Sequence, residues 1–192
     1  MRAVLLSIKP KYCELIASGK KTIEVRKTKP KIDTPFKCYI YCTIGNGVKG
    51  DYIAPSGIQC GKVIGEFVCV QIDRYYYLDL IGANSCDEGY VCGDGNMCLT
   101  YEQLWEYGKG ADLFGWHITD LKLYDKPKDL SEFYVEGDCD CMNCRICVWF
   151  DRGNGYVEDD CDLAYKGLSK GKSFKPIIRP PQSWCYVEEL GE

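Results

Sequence analysis

Gly19-Lys20-Lys21-Thr22-Ile23-Glu24-Val25-Arg26 is the stretch on which the reading of this 192-residue chain turns. From Thr22 to Arg26 the side chains alternate, which sends Ile23 and Val25 to one face of a strand and Thr22, Glu24 and Arg26 to the other. A half-buried strand is predicted, entered through a turn that carries two lysines. Upstream, the apolar run Ala3 to Ile8 ends at Pro10, as a buried strand feeding a helix does. Pro10 suits a first helical turn, Tyr12, Leu15 and Ile16 share one helical face, and Gly19 is a C-terminal stop.

Working outward, further strands are predicted at 36–43, at 62–73 with Gly65 as a bulge, at 116–124 and at 184–187. A second helix is predicted from Thr100, whose hydroxyl can cap the turn holding Gln103, to the stop at Gly108. Many strands with two short helices predict an α+β, mainly β chain, organised as a small β-barrel in a single domain over residues 1–192. Two cysteine-bearing stretches rich in Gly, Asp and Asn, at about 83–98 and 136–165, read as insertions on that barrel.

The composition, 46% hydrophobic and 27% charged, is that of a folded globular chain. The first apolar run is too short for a secretory signal, and nothing approaches the roughly 18 consecutive apolar residues of a membrane span. No membrane association and a cytoplasmic location are expected. In a reducing compartment the 14 cysteines are explained by metal coordination or burial before disulfides.

Net charge is −4, yet the charge is segregated. Residues 1–31 hold nine Lys or Arg against two acids, residues 166–179 hold five and no acid, and residues 132–162 hold nine acids against two arginines. If the first and last segments meet, they form a basic face for phosphates; the alternative is a set of solvated lysines.

Lys21, Glu24 and Arg26 are the first candidates for chemistry. Lysine holds a phosphate or, desolvated, acts as a base; glutamate accepts from the amino edge of a base; arginine clamps phosphate or stacks. Against this stands an exposed strand face on which Glu24 and Arg26 merely pair. Trp116 and Trp184 are candidate stacking platforms, with core packing as the alternative, stronger for Trp116 because Phe114 and Ile118 share its face. Tyr75, Tyr76 and Tyr77 can serve likewise, and Arg179 is a further candidate cation. His117, the single histidine, reads as a structural hydrogen-bonding residue.

Cys139, Cys141, Cys144, Cys147 and Cys161 gather in the acidic stretch, and four of these five suit tetrahedral zinc. An iron–sulfur cluster ranks below zinc, and reduced thiols without metal remain open. Cys86, Cys92 and Cys98 are more widely spaced, while Cys13, Cys38, Cys42, Cys60 and Cys69 fit buried faces.

Gly19-x-Lys21-x-x-Glu24-x-Arg26, after a strand and a short helix, resembles the hallmark of ASCH domains, relatives of the PUA fold. The Gly-Lys-Val-Ile-Gly-Glu-Phe run at 61–67, Gly115-Trp116-His117 and the ending Arg179-Pro180-Pro181-Gln182-Ser183-Trp184-Cys185-Tyr186 are also similar to ASCH proteins of bacteria and phages. The insertions are not covered. This resemblance implies a β-barrel with a cleft beside the motif, used to bind RNA or a modified nucleoside.

It implies an alternative too, because some ASCH members hydrolyse the acetyl amide of N4-acetylcytidine with a lysine, a threonine three positions on and a glutamate. That lysine falls on Lys21, but the threonine falls on Glu24, so the hydroxyl is missing from its place. Thr22 is the nearest substitute, and Glu102 or Glu66 is the candidate third group. A third expectation is a protein-interaction module that docks a partner through the acidic cysteine-bearing stretch.

Overall fold

The computed structural model describes residues 2–44, 53, 57–76, 90–92, 96–137 and 173–190. In chain order these form β1 (Arg2–Ile8), α1 (Pro10–Ala17), β2 (Ile23–Arg26), β3 (Phe36–Cys42), β4 (Val63–Tyr75), β5 (Tyr90–Cys92), β6 (Asn96–Thr100), α2 (Tyr101–Gly108) and β7 (Leu113–Lys128). A 3-10 turn (Leu130–Glu132), β8 (Tyr134–Gly137), β9 (Ser173–Pro176) and β10 (Trp184–Glu188) follow.

Local signals placed most of these elements. Pro10 occupies the start of α1, and Thr100 and Gln103 close a reciprocal capping box on α2. Gly19 takes a φ of +72°, the left-handed conformation that a residue without Cβ adopts at no steric cost. That turn reverses the chain from α1 into β2.

Six strands form one mixed sheet in the order β10-β1-β3-β4-β7-β2. Only β1 and β3 run parallel; their connection carries α1 and β2. β4 and β7 form the long antiparallel centre, with irregular register around Gly65. A Cβ on Gly65 would come within 2.5 Å of the Lys122 carbonyl oxygen, so the glycine lets the two backbones approach there.

The expected barrel is corrected by this topology: the sheet is not closed. β10 and β2 are its two edges, and no backbone ladder joins them. The sheet nonetheless curls until the edges face each other, and side chains cross the gap. Arg26 of β2 donates to the Ser7 carbonyl at 2.9 Å and to the Ser183 carbonyl and hydroxyl at 3.3 Å. Trp184 Nε1 donates to Thr28 Oγ1 at 3.0 Å, and the Lys31 amide donates to the Tyr186 hydroxyl.

Both faces of the sheet are covered, which explains why β1 reads as a continuous apolar run. Val4, Leu6 and Ile8 join Cys38, Ile40, Phe67, Trp116 and the α1 residues Cys13 and Ile16 on one side. Ala3, Leu5, Tyr39, Tyr41, Phe133 and Val187 pack on the other. A third cluster sets Ile23 and Val25 of β2 against Met97, Leu99, Leu104 and Leu113.

Of the expected insertion at 83–98, Asn96 to Cys98 belong to β6 and Met97 is wholly buried in that cluster, while residues 83–89 and 93–95 lie outside the described residues. Most of the other expected insertion, 136–165, lies outside the described residues, including Cys139, Cys141, Cys144, Cys147 and Cys161. Its described flank, β8, pairs antiparallel with β9.

Candidate functional site

β2 is buried on both faces, which corrects the half-buried strand read from its alternation. Opposite β7 the register sets Glu24 against Trp116 and Arg26 against Phe114. Directly opposed residues in an antiparallel pair point to the same side, so the charged face of β2 looks onto aromatic core. Lys21, Glu24 and Arg26 retain only 2%, 7% and 6% exposure. An exposed strand face with a simple surface pair is thereby excluded.

The three groups touch. Glu24 bridges two cations: Oε1 lies 3.1 Å from Arg26 Nη2, and Oε2 lies 3.5 Å from Lys21 Nζ. Lys21 is anchored by its backbone amide on the Leu15 carbonyl at 2.9 Å, which fixes its position at the exit from α1. Its ammonium donates to the Met97 carbonyl of β6 and stands 5.3 Å from the Tyr12 ring centroid. Two positive charges and one negative charge are thus held almost out of water.

Burial lowers the Lys21 ammonium below the usual lysine range, and the neighbouring Glu24 carboxylate opposes that shift. A lysine depressed in the folded state binds fewer protons there than in the unfolded chain. Its burial penalty is therefore full below its folded pKa and fades as pH rises toward the ordinary value of about 10.4. Urea unfolding at several pH values should accordingly show wild-type stability rising relative to Lys21→Met between neutrality and that value. A constant difference would mean that Lys21 carries no such penalty.

Several buried polar atoms of this cluster lack hydrogen-bond partners among the described residues: Glu24 Oε2, Arg26 Nε and Trp116 Nε1. Trp116 is fully buried, edge-on to Phe36 at 5.7 Å, and touches Trp184 at 5.8 Å; Trp184 meets Tyr186 at 5.4 Å. A file of aromatic rings therefore runs from beside Glu24 to the half-buried Trp184 and Tyr186.

The remaining expected residues are placed as follows. Thr22 is exposed just before β2, and its hydroxyl accepts from the Asn96 amide at 2.8 Å. Glu102 is exposed in the first turn of α2. Glu66 lies opposite Tyr39, on the far side of the sheet, and accepts from the Tyr124 hydroxyl. None of the three joins the buried cluster. Arg179 is exposed in the connection leading to β10.

His117 Nε2 meets Asp73 Oδ2 on the face opposite Trp116, in the hydrogen-bonding role expected of it. Partial burial pushes the Asp73 carboxyl up, but bonds from Gln71 and His117 outweigh this and hold it below the usual range. Tyr76 is half exposed under Arg74, whereas Tyr75 packs into the core and Tyr77 lies outside the described residues. The Thr28 and Lys31 contacts bring the loop with exposed Lys27, Lys29 and Lys31 against β10 rather than against the second basic segment, of which residues 166–172 lie outside the described residues.

Sequence reasoning missed Met97, which contributes only a backbone carbonyl, and Tyr12 as the ring beside Lys21. A carbonyl acceptor leaves no trace in residue type; Tyr12 could be found only by knowing that α1 folds back over β2.

A mixed, curled sheet whose β2 strand aims an acid and a guanidinium into the interior defines the class. The chain matches the ASCH domain family over residues 6–127, more than half its length, and belongs to that family. Among solved structures it is similar to the ASCH protein from Zymomonas mobilis, with a TM-score of 0.52, 18% identity, and 97% of this chain and 88% of that one covered. A serine-to-alanine mutant of that Zymomonas mobilis protein aligns with a TM-score of 0.54, 16% identity and coverage of 97% and 89%. No curated protein matches the sequence. Among the described residues no helix is long and apolar enough to cross a membrane.

Proposed function

We propose that this ASCH domain binds RNA or a modified nucleobase through Lys21, Glu24 and Arg26. The observation that carries this reading is the pair of buried donors without a hydrogen-bond partner among the described residues, Arg26 Nε and Trp116 Nε1, beside a Glu24 carboxylate whose Oε2 faces Lys21 only at 3.5 Å. Native interiors leave few such atoms, because each costs about 1–3 kcal/mol, so their concentration around three buried charges calls for a function. Glu24 Oε2 accepts from an exocyclic amino group, while Arg26 Nε and Trp116 Nε1 donate to a ring nitrogen or carbonyl. Trp184 supplies a stacking surface, and Lys27, Lys29, Lys31 and Arg179 supply exposed cations for phosphates.

Fluorescence anisotropy with a pool of RNA oligomers at low salt tests this. Binding should weaken steeply as salt rises, and Lys21→Ala and Arg26→Ala should each reduce affinity by about tenfold or more. Trp116→Phe keeps an aromatic in the core while removing the unpartnered N–H, so it should weaken binding without a matching loss of stability. Absence of any RNA affinity, or unchanged affinity in all three variants, refutes the reading.

A second reading rests on the lowered Lys21 ammonium, which suits a lysine acting as a base. Such a protein hydrolyses the amide of an acylated nucleoside such as N4-acetylcytidine, and Lys21→Ala abolishes turnover. Glu24 at the position of the family's threonine speaks against it, and Thr22 and Glu102 would have to move to take part. Structural zinc on four of Cys139, Cys141, Cys144, Cys147 and Cys161 rests on their spacing, and elemental analysis of the purified chain decides it. Docking of a protein partner by the acidic stretch rests on charge alone; deleting residues 136–165 while RNA binding persists would separate it from the buried cluster.

A further inference from the structure

Away from the charged cluster, three thiols meet where the end of β3 passes α1. Cys42 and Cys60 bring their sulfurs to 3.5 Å, and Cys13 of α1, whose thiol donates to the Ile8 carbonyl at 3.6 Å, belongs to the same core cluster. All three are at most 1% exposed. Backbone bonds hold the pair together: the Cys42 amide donates to the Lys62 carbonyl at 2.9 Å, and the Gly61 amide donates to the Cys42 carbonyl at 2.7 Å. Cys60 therefore stands one residue from a backbone bonded on both sides to Cys42. A disulfide needs the sulfurs at about 2.0 Å, an approach that side-chain torsions can supply when the backbones are already paired.

We propose that Cys42 and Cys60 are a reversible dithiol–disulfide pair, a modification site that ties the end of β3 to the turn entering β4. The neighbouring Cys13 and Cys60 thiols hold the Cys42 thiol below the usual cysteine range against the effect of burial, which favours Cys42 as the attacking sulfur. With hydrogen peroxide as oxidant, the Cys42 thiolate attacks one peroxide oxygen. The S–O bond forms, the O–O bond breaks, and the hydroxide released takes up the thiol proton as water. Cys60 then attacks the Cys42 sulfur, the S–S bond forms, the S–O bond breaks, and a second water leaves with the Cys60 proton. Two thiols and one peroxide become one disulfide and two waters.

The test treats the full chain with hydrogen peroxide, a probe small enough for a buried site, then alkylates in denaturant and maps the peptides. The expected product is one linked peptide pair holding Cys42 and Cys60, lighter than the two reduced peptides by two hydrogens and separated again by dithiothreitol. Cys13→Ser should preserve the link, and Cys60→Ser should abolish it. The oxidised chain should melt about 5–10 °C higher, because the bond restricts the unfolded state. Recovery of Cys42 and Cys60 as alkylated thiols while other cysteines oxidise, a Cys13–Cys42 link in their place, or a lowered melting temperature each overturns the proposal.

Discussion

Replacing Arg26 by alanine is expected to lower the unfolding free energy by about 3–5 kcal/mol, the usual cost of removing one partner from a buried ion pair. Arg26 neutralises Glu24 in the interior and also bonds Ser7 and Ser183 across the gap between the sheet edges. Alanine removes all of these contacts at once. It leaves Glu24 with Lys21 at 3.5 Å as its one remaining counter-charge among the described residues. Lysine at position 26 keeps the charge but not the planar fork, so a single ammonium cannot serve Ser7, Ser183 and Glu24 together. Arg26→Lys should therefore recover only part of the loss. Urea denaturation of both variants measures this, and a loss below about 1 kcal/mol for Arg26→Ala would show that the gap is held by other contacts.

Glu24→Gln should be comparably damaging at neutral pH, with a loss of about 3–5 kcal/mol although the side chain hardly changes shape. The carboxylate is the counter-charge for both cations, and an amide leaves Lys21 and Arg26 facing each other in a poorly solvated space. Loss of Glu24 also removes the interaction that raises the Lys21 pKa, so the lysine becomes easier to deprotonate. A deeper depression widens the pH window in which the unfolded state binds the extra proton, and the deficit should shrink as pH rises from about 7 to about 9.5. Lys21→Met in the Glu24→Gln background should restore part of the stability, because one of two uncompensated charges is gone. Additive losses in that double variant would mean that the two side chains are not energetically coupled.

The value of the buried cluster lies in this combination of costs. Three charged groups in the interior, two of them with buried atoms that lack a hydrogen-bond partner among the described residues, are a poor way to hold a small sheet together; apolar residues of equal volume would serve it as well or better. Trp116 sits opposite Glu24 with its own N–H unpartnered among the described residues, so the cluster is flanked by a large aromatic surface. Under the proposed function, a planar, polar ligand with an amino edge and a neighbouring acceptor would meet these groups. The loop carrying Lys27, Lys29 and Lys31 lies next to Trp184, where a phosphate attached to such a ligand would find positive charge.

Much of the local architecture is legible in the amino-acid sequence alone. The Pro10 start, the Gly19 stop, the Thr100 and Gln103 cap and the strands at 36–42 and 184–188 follow from propensities and periods that act over a few residues. β6 was hidden because Asn96, Met97 and Cys98 adjoin a Gly- and Asp-rich stretch whose composition reads as loop. β9 carries Pro176 at its end and has no alternation to reveal it.

The chain itself determined that Glu24 and Arg26 would share one side of a strand, with Lys21 at the turn that enters it. It also determined the aromatic positions on β7 and β10. Whether that charged face met water or the interior depended on the curl of the whole sheet, which brings β10 and β1 over β2 and replaces solvent with Trp116, Ser7 and Ser183. Alternation within a strand records only which residues share a side. What lies on that side is decided by other strands, Ser183 among them from 157 residues away, and so by tertiary structure alone.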